Sequence, residues 1–297
     1  MLIRYGFHVG FDVCKPTTIL TRLDVHPSRR ADIIHESPMR LRGWEARPPF
    51  ADIHGNLCRR MTALPGTTLL EVSGTIRDSG EYEPQLFDER IEEVKDLPEE
   101  TLVYLLASRY CETDKLSQIA WNLFGHLPNN ASRVRAVVDF IHQRLSFGYG
   151  FASPVRTALD AYNERVGVCR DFTHLTVTLC RCLNIPARYV NGYLGDIGVP
   201  RDPAPMDFSA WAEVFVTGMW WPVDARHNRP RIGRIVLARG RDAADVPLIH
   251  SFGPHVLGDF KVVTEEENAA VQGKQTPAEP RSCSMSPQRP RPMVAMS

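Results

Sequence analysis

The chain of 297 residues has no excess charge of either sign: 35 basic and 35 acidic side chains give a formal net charge of zero. This argues against nucleic acid or another polyanion as a partner. The chain lacks any apolar run near the ~20 residues that a membrane-spanning helix requires, so no membrane partner is expected. Its start, Met1 to His8, has no charged stretch followed by an apolar one, and no cleaved signal peptide is expected. Cysteine is sparse and has no paired pattern: the seven residues Cys14, Cys58, Cys111, Cys169, Cys180, Cys182 and Cys283 are scattered. A disulfide framework is therefore not expected, and a reducing cytoplasm is the default compartment. Cys180 and Cys182 are two apart with no neighbouring histidine pair, which does not suit a metal site. Neither metal nor cofactor is expected, and no internal repeat is visible.

What is present divides into textures. Residues 1 to about 85 read as strands and turns: Leu2 to Val9, Thr17 to Val25 and Thr67 to Ile76 are rich in β-branched and aliphatic residues. His54-Gly55-Asn56, Leu64-Pro65-Gly66 and Asp78-Ser79-Gly80 supply turns between them. A small antiparallel sheet or sandwich is expected there. Helical patterns follow, from Leu97-Pro98 toward Cys111, over Thr113 to His126, Asn130 to Leu145, Thr157 to Asn163 and Cys169 to about Leu183. The chain then turns β-like over Ala187 to Tyr193, Ala210 to Val216, Trp220 to Asp224 and Arg234 to Ala238. From about Glu265 the Pro-rich composition cannot bury a core, and a disordered tail is expected. The expected division is residues 1–90 (β-rich), 91–264 (α+β core) and 265–297 (tail).

One cysteine stands out. With a helix starting at Cys169, the residues Phe172, Leu175, Thr176, Leu179 and Leu183 form one buried stripe, and Cys169 lies a turn before Phe172 on that stripe. At a helix N-terminus the dipole and the unpaired N–H groups favour a thiolate, the reactive nucleophile, and can hold an oxyanion. A structural cysteine is the alternative reading.

Val216-Thr217-Gly218-Met219 predicts a hairpin with a two-residue loop. In that register Val216 faces Met219, Trp211 faces Asp224 and Ser209 faces Arg226, so Ser209, Trp211 and Asp224 share a sheet face. A histidine at 209 would have Asp224 to orient it, completing a nucleophile–base–orienter set. Position 209 is instead serine, which cannot replace imidazole as a base near neutral pH. His227 is the candidate substitute base. In this register it points to the other face, and only a different loop length or a bulge near Ala225 would bring it round. His174, five residues beyond Cys169, is expected to point away from the sulfur. The basic run Arg229 to Arg241 is expected to be a solvated face.

Gly167-Val168-Cys169-Arg170-Asp171-Phe172, the helix ending in Leu183-Asn184-Ile185-Pro186-Ala187-Arg188-Tyr189-Val190, Ser209-Ala210-Trp211-Ala212-Glu213-Val214 and Trp221-Pro222-Val223-Asp224 together resemble the bacterial transglutaminase-like superfamily over about residues 100 to 260. The resemblance implies an α+β fold: a papain-like transglutaminase core of helices plus antiparallel sheet, preceded by an N-terminal β-sandwich-like domain. It also implies that Cys169 is the nucleophile and Asp224 the orienting acid, with Ser209 where the family usually has histidine. The expected activity is acyl transfer or hydrolysis at an amide or peptide bond of a protein or peptide substrate, through a thioester at Cys169. Trp211 and Arg170 are then expected at the substrate, with Arg170 or the Cys169 N–H at the oxyanion. A peptide-binding module that has lost the base is the alternative.

Overall fold

The computed structural model describes residues 1–267. In chain order the N-terminal strands are β1 (Leu2–Val13), β2 (Thr17–Thr21), β3 (Ile33–Glu36), β4 (Arg40–Arg42), β5 (Trp44–Ala46), β6 (Phe50–Ala51), β7 (Leu57–Ala63) and β8 (Gly66–Arg77). They form two antiparallel sheets, and both are completed from the far end of the chain. β15 (Ile249–Ser251) pairs with β2, and β16 (Val256–Glu266) pairs with β1 along nearly its whole length. This corrects the expected boundary at 264, because the last two strands belong to the N-terminal sheets and not to the helical core. Glu265 and Glu266, expected in the tail, end β16. The remainder of the expected tail, from residue 268, lies outside the described residues.

Between these strands lies the α+β core. After a single turn, α1 (Glu99–Leu102), come α2 (Thr113–Phe124), α3 (Ala131–Arg144), α4 (Ala158–Glu164) and α5 (Cys169–Cys182). Two-residue strands β9 (Ser146–Phe147) and β10 (Val166–Gly167) pair between them. The local chemistry is legible at the caps. The Asn130 side chain accepts the Ser132 N–H, and Thr157 and Asp160 form a reciprocal capping box. The long helix expected from Leu97 to Cys111 does not form. By Leu106 the backbone is extended, and the Leu106 carbonyl instead accepts from the buried Arg181 guanidinium. Helix α5 ends at Cys182; Asn184, with a positive φ of 62°, and the following Ile185-Pro186 keep it from continuing.

The core sheet has the order β13-β12-β11-β14, with β11 (Ala187–Tyr193), β12 (Ser209–Val216), β13 (Met219–Val223) and β14 (Ile235–Gly240). The β12–β13 hairpin has the expected two-residue loop. Thr217 and Gly218 both adopt positive φ, and the register runs from Val216 opposite Met219 to Ala212 opposite Val223. Ala212, Val214 and Val216 pack with α2, α3 and α5 in one apolar core. A second core joins β1, β2, β7 and β8 to Tyr193, Phe208, Ile235 and Leu237 of the central sheet region.

Helix α5 is not amphipathic in its setting. Every residue from Arg170 to Cys182 is buried, so the single stripe expected from the sequence understates its position at the centre of the core. No helix among the described residues is long and apolar enough to cross a membrane.

Because β16 supplies the outer partner of β1, deleting residues 255–297 should lower the midpoint of thermal unfolding by at least about 10 °C, the loss of several kcal/mol of pairing and burial. Near-UV circular dichroism during heating checks this. An unchanged midpoint would show that β16 is dispensable.

Candidate functional site

Cys169 is the first residue of α5, after Val168 at the N-cap. The local geometry is set by two neighbours. Asp171 accepts the Val168 N–H at 2.8 Å, tightening the first turn. Gly167 lies so close to Asp171 that a Cβ there would come within 2.6 Å of the Asp171 Cβ, which is why only glycine fits. Cys169 lines a cavity of about 80 Å³ with Tyr189, Asn191, Asp207, Ser209 and Ala210 among its walls. The nearby Ala210 N–H favours the thiolate. Burial works against it and wins: the Cys169 thiol is pushed up to about 11, with Asp207 adding to the rise and Arg226 opposing it. At pH 7 a thiol titrating there is ionised in about one molecule in ten thousand. The thiolate-stabilising helix terminus expected from the sequence is thus outweighed by desolvation.

Asp207 is the residue that sequence reasoning passed over as a strand-starting acid. It sits on the segment leading into β12. Its neighbour Phe208 is clamped in the N-terminal core, with ring centroids 5.1 Å from Tyr193 and 6.2 Å from Phe7 and from Phe260. The Phe208 N–H donates to Asp207 Oδ1 at 2.7 Å. Burial raises the Asp207 carboxyl to about 6, against the pull of that N–H and of Arg226. The only sequence signal for it was position: an acid two residues before 209.

The other expected members are placed elsewhere. Asp224 does not line the Cys169 cavity. It borders a separate cavity of about 260 Å³ with Glu83, Val138, Asp139 and Asn228. Its carboxylate accepts from Arg234 Nη2 at 3.0 Å and from the N–H groups of Arg226 and His227, and it pairs with His227 Nδ1 at 2.9 Å. Arg234 and His227 hold it well below the usual carboxylate range despite burial. A regular hairpin would keep Asp224 and His227 on opposite faces, and an irregularity near Ala225, the allowed exception, brings them together. The strand stops at Val223, and the chain turns through Ala225 to His227, with the Asn228 N–H on the Asp224 carbonyl at 2.8 Å. Turn geometry replaces strand alternation, so the pair forms. His227 is not among the residues lining the Cys169 cavity, and burial lowers its pKa despite Asp224.

Trp211 is fully buried on the sheet face opposite α5. It packs with Val190 and Val236, and the Arg234 guanidinium lies 4.7 Å above its ring. That is a structural setting and corrects its expected place at the substrate. Arg170 borders the Cys169 cavity, but its guanidinium donates to the Ser153 and Pro154 carbonyls at 2.8 and 2.9 Å and stacks on Tyr110. It anchors the loop that forms one wall. Ser209 lines the cavity, and its Oγ is buried without a hydrogen-bond partner. His174 is fully buried between the Tyr110 and Tyr189 rings, its Nε2 accepting the Ala243 N–H at 3.2 Å, and burial keeps it neutral. The basic run is not a solvated face: Arg231 and Arg234 are buried and Arg239 pairs with Glu213.

With this geometry in hand, the likeness to known proteins is specific. Residues 117–225, which hold Cys169, Ser209 and Asp224, match the family model of the Transglutaminase-like superfamily. Residues 117–225 therefore form a transglutaminase-like core. A solved structure of a proposed cysteine protease from Cytophaga hutchinsonii is 29% identical, covers 93% of each chain and superposes with a TM-score of 0.76. An uncharacterized protein of Mycobacterium leprae is 32% identical over 148 residues, 47% of this chain and 50% of that protein. An uncharacterized protein of Mycobacterium tuberculosis H37Rv is 30% identical over 148 residues, 46% of this chain and 44% of that protein. The chain spans about half the length of the curated relatives it matches.

Removing Asp224 breaks a buried pair and leaves Arg234 with Glu83 as its one remaining carboxylate partner. Asp224→Ala should lose about 3–5 kcal/mol of stability, measured by urea unfolding. The Asp224 carboxyl is held below 3.8, so its contribution is present at neutral pH and disappears as pH falls below that value. A variant as stable as the parent would show that the pairing is not structural.

Proposed function

We propose that the protein catalyses acyl transfer or hydrolysis at an amide or peptide bond of a protein or peptide substrate, through a thioester at Cys169. The observation that carries this reading is the placement of Cys169: first turn of a buried helix, open to a lined cavity that Ala210 also borders. A substrate carbonyl entering the cavity meets the sulfur, and the unpaired N–H groups of the first helical turn are suited to the developing oxyanion. The superfamily core and the likeness to a proposed cysteine protease support the same class of chemistry. The free thiol also suits a reducing compartment such as the cytoplasm.

A second reading, a peptide-binding module without catalysis, is favoured by one observation: the thiol at about 11 meets no histidine among the residues lining its cavity. Two variants separate the readings. Cys169→Ala should abolish hydrolysis of a mixed peptide library followed by mass spectrometry, and unchanged hydrolysis would sink the enzyme reading. Ser209→His should give no gain, because Asp224 is already committed to Arg234 and His227 and cannot orient a new imidazole. Activity appearing only with Ser209→His would favour a module that has lost its base.

A further inference from the structure

A cysteine nucleophile with a high thiol pKa needs a proton acceptor beside it, and the acid assigned to the site by position, Asp224, is a poor one. Four donors stabilise its charge, so it has little affinity for a proton. Asp207 differs on each count. It lines the same cavity as Cys169, and the charges of the two groups act on one another. Its hydrogen bond to the Phe208 N–H engages Oδ1 alone. The Phe208 ring, wedged between Tyr193 and the strands β1 and β16, fixes the segment that carries it.

We propose that Asp207 is the general base of the Cys169 reaction, occupying the chemical role for which position 209 has no imidazole. The inference rests on the reading of Cys169 as the nucleophile. The Asp207 carboxylate takes the proton from the Cys169 thiol as Sγ attacks the substrate carbonyl carbon. Collapse of the tetrahedral intermediate breaks the C–N bond, and the Asp207 carboxylic acid returns the proton to the departing amine nitrogen. The product is a thioester. In the second half, Asp207 takes a proton from water as its oxygen attacks the thioester carbon. The C–S bond then breaks, and the proton passes to the sulfur. The sum is amide plus water giving acid plus amine, with no oxidant or metal needed.

The environment suits a group that must gain and lose a proton near neutrality. The charged and titratable groups around Asp207 are Cys169 and Arg170 from α5, Tyr149 from the loop after β9, Tyr189 from β11, and Arg226 from the turn after β13. Burial raises its carboxyl to about 6 while Arg226 and the Phe208 N–H restrain the rise. A base titrating there is deprotonated at pH 7 yet basic enough to assist a thiol.

The test uses the full chain and p-nitrophenyl acetate as the acyl donor, reading p-nitrophenolate release and acetylation of Cys169 against pH. The wild-type rate should climb through pH about 6 and then level. Asp207→Asn, which keeps an acceptor for the Phe208 N–H, should lose that step and fall on the order of 10²-fold or more at pH 7. Asp207→Glu should retain the step. Iodoacetamide supplies the opposite reading. Asp207 raises the thiol pKa, so Asp207→Asn should be alkylated faster above pH 8 even as its acylation at pH 7 slows. A purely structural or electrostatic Asp207 would move both rates together. If Asp207→Asn is acylated as fast as the parent, or the wild-type rate climbs steadily toward pH 11 with no step near 6, the role of Asp207 is overturned while the nucleophile stands. If Cys169→Ala is acylated like the parent, the nucleophile fails and Asp207 fails with it.

Discussion

The constraint on which the rest of the protein depends is the burial of α5 from Arg170 to Cys182. A helix so enclosed must find partners for most of its polar groups within the fold. Thr173, Thr176 and Thr178 return their hydroxyls to carbonyls four residues back. Arg181 gathers the carbonyls of Leu106, Ala187 and Arg241, tying the helix to three other segments. His174 accepts the Ala243 N–H and stacks between two tyrosines. The same enclosure makes Cys169 a poor acid: the helix dipole and one N–H favour its thiolate, but removal from water costs more.

Charge in this interior is arranged in small sets of opposed charges. Asp224, His227, Arg234 and Glu83 make one such set, in which Arg234 bonds both carboxylates and covers the Trp211 ring. Arg188, Arg239 and Glu213 make another. Arg234 reaches Glu83, beyond β8, and Arg239 reaches Ser28, so these sets tie the sheet face opposite α5 to the N-terminal part of the chain. An acid held in such a set is stabilised as a charge and loses its use as a base. Asp207 lies outside them, restrained by a single N–H and a facing arginine, and its carboxyl rises toward neutrality.

Much of this was legible in the sequence. The helices over 113–124, 131–144, 158–164 and 169–182 follow from their apolar spacing and caps, and the Thr217-Gly218 turn fixed the hairpin register because its two residues accept positive φ. Hairpin parity correctly grouped Trp211 with Asp224, which Arg234 now bridges. It could not say which face receives α5, since alternation is symmetric between the two faces. Strand periodicity also misplaced His227, because nothing in the pattern of residues marks where pairing ends and a turn begins.

The sequence by itself determined the likeness to a transglutaminase-like core, the α+β class, and Cys169 at the start of a helix, since these rest on local spacing and on motifs a few residues long. Only the tertiary structure decided that β15 and β16 return to the N-terminal sheets and that Asp224 is bound to Arg234 and His227. It alone, too, placed Asp207 rather than Asp224 in the cavity with the sulfur. Those outcomes depend on contacts between residues far apart in the chain and on how much water each charge loses. Neither quantity is encoded in any one segment.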